Sequence, residues 1–102
     1  MRVYVLNVSP AHEGLESYEV LTETERSLKS EGDRYFPKMK LDVVVPTASR
    51  YGFRILTTDR DKLEEYVVRL RERVIHSIER DLSTMKNDLE AVKGRISRGV
   101  SA

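Results

Sequence analysis

From about Asp59 to Ile96 the chain carries ten apolar residues on one helical stripe: Leu63, Val67, Leu70, Val74, Ile78, Leu82, Met85, Leu89, Val92 and Ile96. The steps between them are 4, 3, 4, 4, 4, 3, 4, 3 and 4, the spacing that keeps a stripe on one side of an α-helix. Neither glycine nor proline interrupts the run before Gly94. Such a helix is roughly 57 Å long, whereas a compact domain of this size has a radius of gyration of about 13 Å. The helix must overhang its own body. An apolar stripe that the chain cannot cover calls for another chain, so a homo-oligomer is expected. Its interface would comprise Leu70, Val74, Ile78, Leu82, Met85, Leu89, Val92 and Ile96.

The two halves of the stripe differ. From Leu63 to Ile78 the apolar surface is broad, with Tyr66, Val68 and Ile75 added, and it suits packing on the rest of the chain and on a partner together. From Leu82 to Ile96 it narrows to a strict alternation of three and four, the seam of a coiled coil. The 4-4-4 steps from Leu70 to Leu82 read as a stutter between them. Thr58-Asp59-Arg60-Asp61 offers a hydroxyl cap with a carboxylate three residues on. Asp59, Asp61, Glu64 and Glu65 at the start, and Arg95 and Arg98 before Gly99 at the end, carry the signs that the helix dipole favours. A break at Ser83-Thr84 into a hairpin is the alternative, although neither residue is a strong helix breaker. With Leu82, Leu89 and Ile96 at one seam position and Met85 and Val92 at the other, no subunit number is specified.

Residues 1–58 alternate like a small β-module. Arg2 to Val8 is apolar at Val3, Tyr4, Val5, Leu6 and Val8, so both of its faces are expected to be covered. Ser9-Pro10 through Glu13-Gly14 supplies a polar connection. A longer strand is expected from Ser17 to Leu28, and Glu31-Gly32-Asp33 then forms a hairpin turn in which glycine supplies positive φ. Arg34 to Phe36 returns as a short strand ended by Pro37, which has no N–H to donate. Lys38 to Val45 gives the clearest alternation, with Met39, Leu41, Val43 and Val45 against Lys38, Lys40 and Asp42. Pro46 to Ser49 forms a loop. Arg50 to Thr57 is the last strand, with Tyr51, Phe53 and Ile55 inward, Arg50 and Arg54 outward, and Gly52 marking a bulge or close backbone approach. The expected fold is α+β: a small antiparallel sheet or SH3-like barrel over 1–58, one long oligomerising helix over 59–97, and a flexible tail over 98–102.

Composition narrows the function. The chain has 102 residues, no cysteine and a net charge of +1, so it has no disulfide framework, thiolate nucleophile or cysteine-based zinc site. No run of 18 apolar residues occurs, so no membrane span is expected. The start at Met1-Arg2-Val3-Tyr4 enters strand-like residues without the layout of a signal peptide, and a cytoplasmic location is expected. Basic and acidic residues balance in both parts, 8 against 8 in residues 1–58 and 10 against 9 in residues 59–102. Nucleic-acid binders usually carry a basic footprint, so nucleic acid is not the favoured partner. No phosphate loop or nucleophile elbow occurs. His76 and Glu72 make a surface i,i+4 pair rather than a metal site. No cofactor is expected, and the chain does not read as an enzyme.

One group of residues points to a ligand. Arg34, Arg50 and Arg54 offer forks to a phosphate or carboxylate, and Lys38 a further cation. Tyr51 could stack on a base, and Thr57 lies at a helix N-terminus where backbone N–H groups are free. Together these make a candidate site for a nucleotide-like anion. The alternative is a set of core aromatics with solvated arginines, since Tyr51 and Phe53 alternate with Arg50 and Arg54. Three stretches carry a resemblance: Tyr18-Glu-Val-Leu-Thr-Glu-Thr-Glu-Arg26, Arg34-Tyr-Phe-Pro-Lys38 and Tyr51-Gly-Phe-Arg-Ile-Leu-Thr-Thr-Asp59 ahead of a charged helix. The chain resembles small accessory proteins of phages and mobile elements, loosely the Thoeris anti-defence sponges. The likeness covers residues 17 to about 95 and implies an oligomer that sequesters a nucleotide signal or a host protein. It carries no ligand residues over one by one. A nucleic-acid-binding oligomer and a structural adaptor docking a protein partner remain the other readings.

Overall fold

A computed structural model describes residues 1–101. It contains β1 (Arg2–Ser9), β2 (His12–Glu23), β3 (Ser27–Ser30), β4 (Arg34–Pro37), β5 (Val45–Pro46), β6 (Phe53–Thr57) and one helix, α1 (Leu63–Ser101). The strands form a single sheet in the order β4-β3-β2-β1-β6-β5, and every named pair is antiparallel. The outermost strands, β4 and β5, are joined through residues 38–44 alone, which include a 3-10 turn at Lys38–Lys40 and a left-handed residue, Asp42 (φ 60). So short and wound a connection draws the outer strands toward each other, and the sheet curls. A register shift between Val20 and Thr22 helps, because an extra residue bends a strand and increases its twist.

The curl creates two apolar clusters. On the convex face, Leu6, Val8 and Ile55 pack against Tyr66, Leu70 and Val74 of α1. On the concave face, Val3 and Val5 of β1 meet Leu28 and Phe36 of β3 and β4, with the Tyr18 and Phe36 rings 5.9 Å apart. The central strand β1 is therefore buried on both faces, as its continuous apolar run implies.

Several local expectations are corrected. The stretch expected as one strand from Ser17 to Leu28 is two strands. Thr24 and Ser27 close the turn between them: Thr24 N–H donates to the Ser27 carbonyl at 2.9 Å, and Ser27 N–H donates to Thr24 Oγ1 at 3.1 Å. The expected strand at Lys38 to Val45 is replaced by the crossing segment. Its alternation fails at Asp42, whose positive φ breaks the extended backbone. Leu41 then packs on the concave cluster and Val44 on the convex one, while Met39 is left 84% exposed. Asp42 N–H donates to the Leu56 carbonyl at 2.6 Å, and its carboxylate accepts from the Tyr66 hydroxyl at 2.7 Å.

The last strand begins at Phe53 rather than Arg50, because Tyr51 also adopts positive φ (59°). Gly52 marks a close approach: a Cβ there would lie 2.3 Å from Thr47 Oγ1. At the Glu31-Gly32-Asp33 turn, Gly32 has φ 72, the conformation expected of it.

The helix cap is shifted by one residue from Thr58. Asp59 accepts from Asp61 N–H at 3.0 Å, and a 3-10 turn at Arg60–Lys62 leads into α1. The helix runs without a break through Ser83-Thr84 and continues to Ser101, past the expected end at residue 97. Of the expected tail 98–102, only Ala102 lies outside the described residues. The radius of gyration is 20.4 Å, with extents of 72 × 23 × 20 Å, so the helix overhangs the sheet. Leu70 and Val74, expected at an interface between copies, are instead sealed in the chain's own core at 0% and 5% exposed. Their burial leaves them no surface for a partner. Ile78 packs beside them. From Leu82 to Arg98 every residue is exposed. Among the described residues, no helix is long and apolar enough to cross a membrane.

Candidate functional site

The register of the sheet decides which polar side chains meet. Residues directly opposite each other in a ladder share a face. The pairs Val5↔Leu56 and Asn7↔Arg54, with Val5↔Glu16 and Val3↔Tyr18, place Asn7, Glu16, Tyr18 and Arg54 on the concave face. Arg54 therefore points away from α1, as its alternation with Phe53 and Ile55 implies. The curl makes that face the inside of a groove.

The mouth of the groove is a cleft of about 450 Å³ lined by Val5, Asn7, Glu16, Arg34, Tyr35, Phe36, Pro37, Lys40, Val45, Arg54 and Leu56. Its walls come from both ends of the strand order, β4 on one side and β5 with β6 on the other. Arg34, Lys40 and Arg54 contribute three cations, and none of them forms a salt bridge among the described residues. Arg54 is oriented by Asn7, whose Oδ1 accepts from Nε at 2.8 Å, leaving its two terminal nitrogens for a ligand. The Arg34 guanidinium lies over the Tyr18 ring, 4.7 Å from its centroid. Glu16 is the one carboxylate in the cleft. It accepts from the Tyr18 hydroxyl, and that bond first, then desolvation, raises the Tyr18 phenol above its ordinary value. Tyr35, 63% exposed, turns its ring to the opposite face of β4 from Phe36, where Lys29 Nζ lies 5.6 Å from the ring centroid.

Of the six residues read from the sequence as ligand contacts, the structure brings two together here, Arg34 and Arg54. Lys38 pairs with Glu23 at 2.9 Å, outside the cleft. Arg50 lies over the Tyr51 ring at 5.1 Å, and the Tyr51 hydroxyl donates to Asp81 of α1 at 2.7 Å, so this tyrosine ties the 47–52 loop to the helix. Thr57 is buried and accepts from Asp59 N–H at 3.1 Å. Lys40 and Asn7 join Arg34 and Arg54 there. Lys40 was legible as a cation, but its place depends on the 3-10 turn at 38–40 that the alternating pattern hides. Asn7 carries the one polar side chain between Val5 and Ser9 on its face of β1, and that interruption is the signal that could have found it.

A second groove, of about 410 Å³, lies along α1 and is lined by Phe53, Arg73, His76, Ser77 and Arg80. Arg73 covers the Phe53 ring at 5.8 Å, and a single helix face supplies the rest of its wall. It offers charge with little enclosure. Among the described residues, no group of three His, Cys, Asp or Glu side chains is placed to hold a metal ion. No family model matches the chain, and neither a curated protein nor a solved structure matches it.

Proposed function

We propose that the protein is a non-enzymatic, oligomeric binding protein whose concave cleft captures a small phosphate-bearing ligand of the nucleotide class. The observation that carries this reading is the convergence of Arg34, Lys40 and Arg54, free of carboxylate partners, on one cleft of about 450 Å³. Arginine forks suit phosphate oxygens, and a cleft of this volume lies in the usual range for a small-molecule site. The resemblance to phage anti-defence sponges agrees with a nucleotide signal as the ligand. The exposed half of α1, with Leu82, Met85, Leu89, Val92 and Ile96, supports assembly of several such modules.

Calorimetry with cyclic and ADP-ribose-type nucleotides tests the proposal. Binding is expected for at least one of them and weakens about tenfold or more in Arg54→Ala, the loss of one charge-assisted contact. No heat with any of them in the unsubstituted protein overturns it.

A further inference from the structure

Five exposed apolar residues of α1 stand at a constant spacing of seven: Val68, Ile75, Leu82, Leu89 and Ile96. They are 47% to 61% exposed. They form a row separate from Tyr66, Leu70 and Val74, which seat the helix on the sheet. The irregular 4-4-4 steps of the sequence therefore have a simple origin. They arise from splicing two rows, one turned to the chain's own sheet and one turned outward. Followed alone, the outward row gains Ile78, Met85 and Val92, each three residues after a member, and the result is an unbroken heptad seam from Ile75 to Ile96. A strict repeat of seven drifts by about 20° per repeat on a straight helix and is the pattern that winds two helices into a left-handed coil.

The residues flanking this seam give it a direction. Asp81 and Asp88 precede Leu82 and Leu89, and Lys86 and Lys93 follow Met85 and Val92. In a parallel, in-register coil each residue of the first flank meets the residue five positions later on the other chain. That apposes Asp81 with Lys86 and Asp88 with Lys93, both pairs of opposite sign. In an antiparallel coil like flanks meet, and lysine faces lysine. Within one chain Asp81 accepts from Tyr51 and Lys93 Nζ lies 3.7 Å from Glu90.

We infer that the occupant of this seam is a second copy of the chain, packed parallel and in register, so that the β-modules gather at one end of the coil. This rests on the self-association in the proposed function and adds its direction. The chain has no cysteine, so Arg80→Cys, Asn87→Cys and Gly94→Cys each place a single nitroxide label on the outer side of the coil. Pulsed dipolar spectroscopy on the full chain is expected to give the same interspin distance at all three positions. An antiparallel coil would change the axial separation by about 20 Å for each step of seven residues, and unequal distances overturn the inference while self-association stands. A monomeric mass of the unlabelled protein by light scattering overturns the self-association itself. In a second measurement, Asp88→Lys weakens association by about two- to fivefold. Adding Lys93→Asp restores it; failure of the double change to restore affinity also overturns the parallel arrangement.

Discussion

The first and last thirds of α1 are built from the same residue types at the same period, yet they meet opposite fates. Around Leu70 and Val74 the stripe disappears into the convex face of the sheet. Around Leu89 it stands in solvent, 51% exposed. Periodicity specifies which side of a helix is apolar, not what covers it. The difference comes from the partner surface that β1 and β6 offer to the first third, which ends where the sheet ends.

That contrast can be broken in graded ways. Leu70→Ala removes a fully buried side chain from the seam between sheet and helix, and chemical denaturation should show a loss of about 3 kcal/mol. An unchanged midpoint would mean that Leu70 does not hold the two layers together. Leu89→Asp, by contrast, should leave the β-module folded, with its thermal transition present, while light scattering reports a fall in mass from oligomer to monomer. If this variant unfolded the module as Leu70→Ala weakens it, the two thirds of the helix would not be separate in function.

A smaller effect is expected at Tyr66, where helix and crossing segment are tied. Tyr66→Phe loses the bond to Asp42 and should cost about 1 kcal/mol. It should also alter the alkaline limb of stability. Burial first, and the Asp42 bond second, push the Tyr66 phenol up from 10.0 to about 12. The folded protein thus holds this proton where the unfolded chain releases it. The contribution is complete below pH 10 and is lost as pH rises toward 12. Denaturation midpoints measured across that window should fall more steeply for the parent than for Tyr66→Phe; parallel slopes would show that Tyr66 is not the group responsible.

What the sequence disclosed follows the strength of its local signals. The apolar run of β1 announced burial on both faces, and Gly32 announced the turn it makes. The turn at Thr24 to Ser27 carries neither glycine nor proline and is closed by hydroxyl and backbone bonds, so it was invisible in the pattern. The alternation at Lys38 to Val45 misled because the segment passes between faces instead of lying in the sheet, a tertiary demand that overrides local preference. The cleft inherits the same division. Arg54 followed from alternation and Arg34 was named as a cation of the short strand before Pro37, whereas Lys40 enters only because residues 38–44 bridge the two outer strands. Tyr51 looked like a stacking platform, but its hydroxyl is engaged by Asp81, a residue 30 positions away.

The outer strands of the sheet end in the same residue type, Pro37 in β4 and Pro46 in β5. They are also short, four and two residues long. An open sheet margin is a template on which a foreign strand can be added, the usual route to misassembly, and short strands with proline at the margin obstruct it. A chain that displays bare leucine, methionine and valine along α1 has most to lose from such uncontrolled growth. With recruitment at the sheet obstructed, the self-association proposed above would fall to the helix.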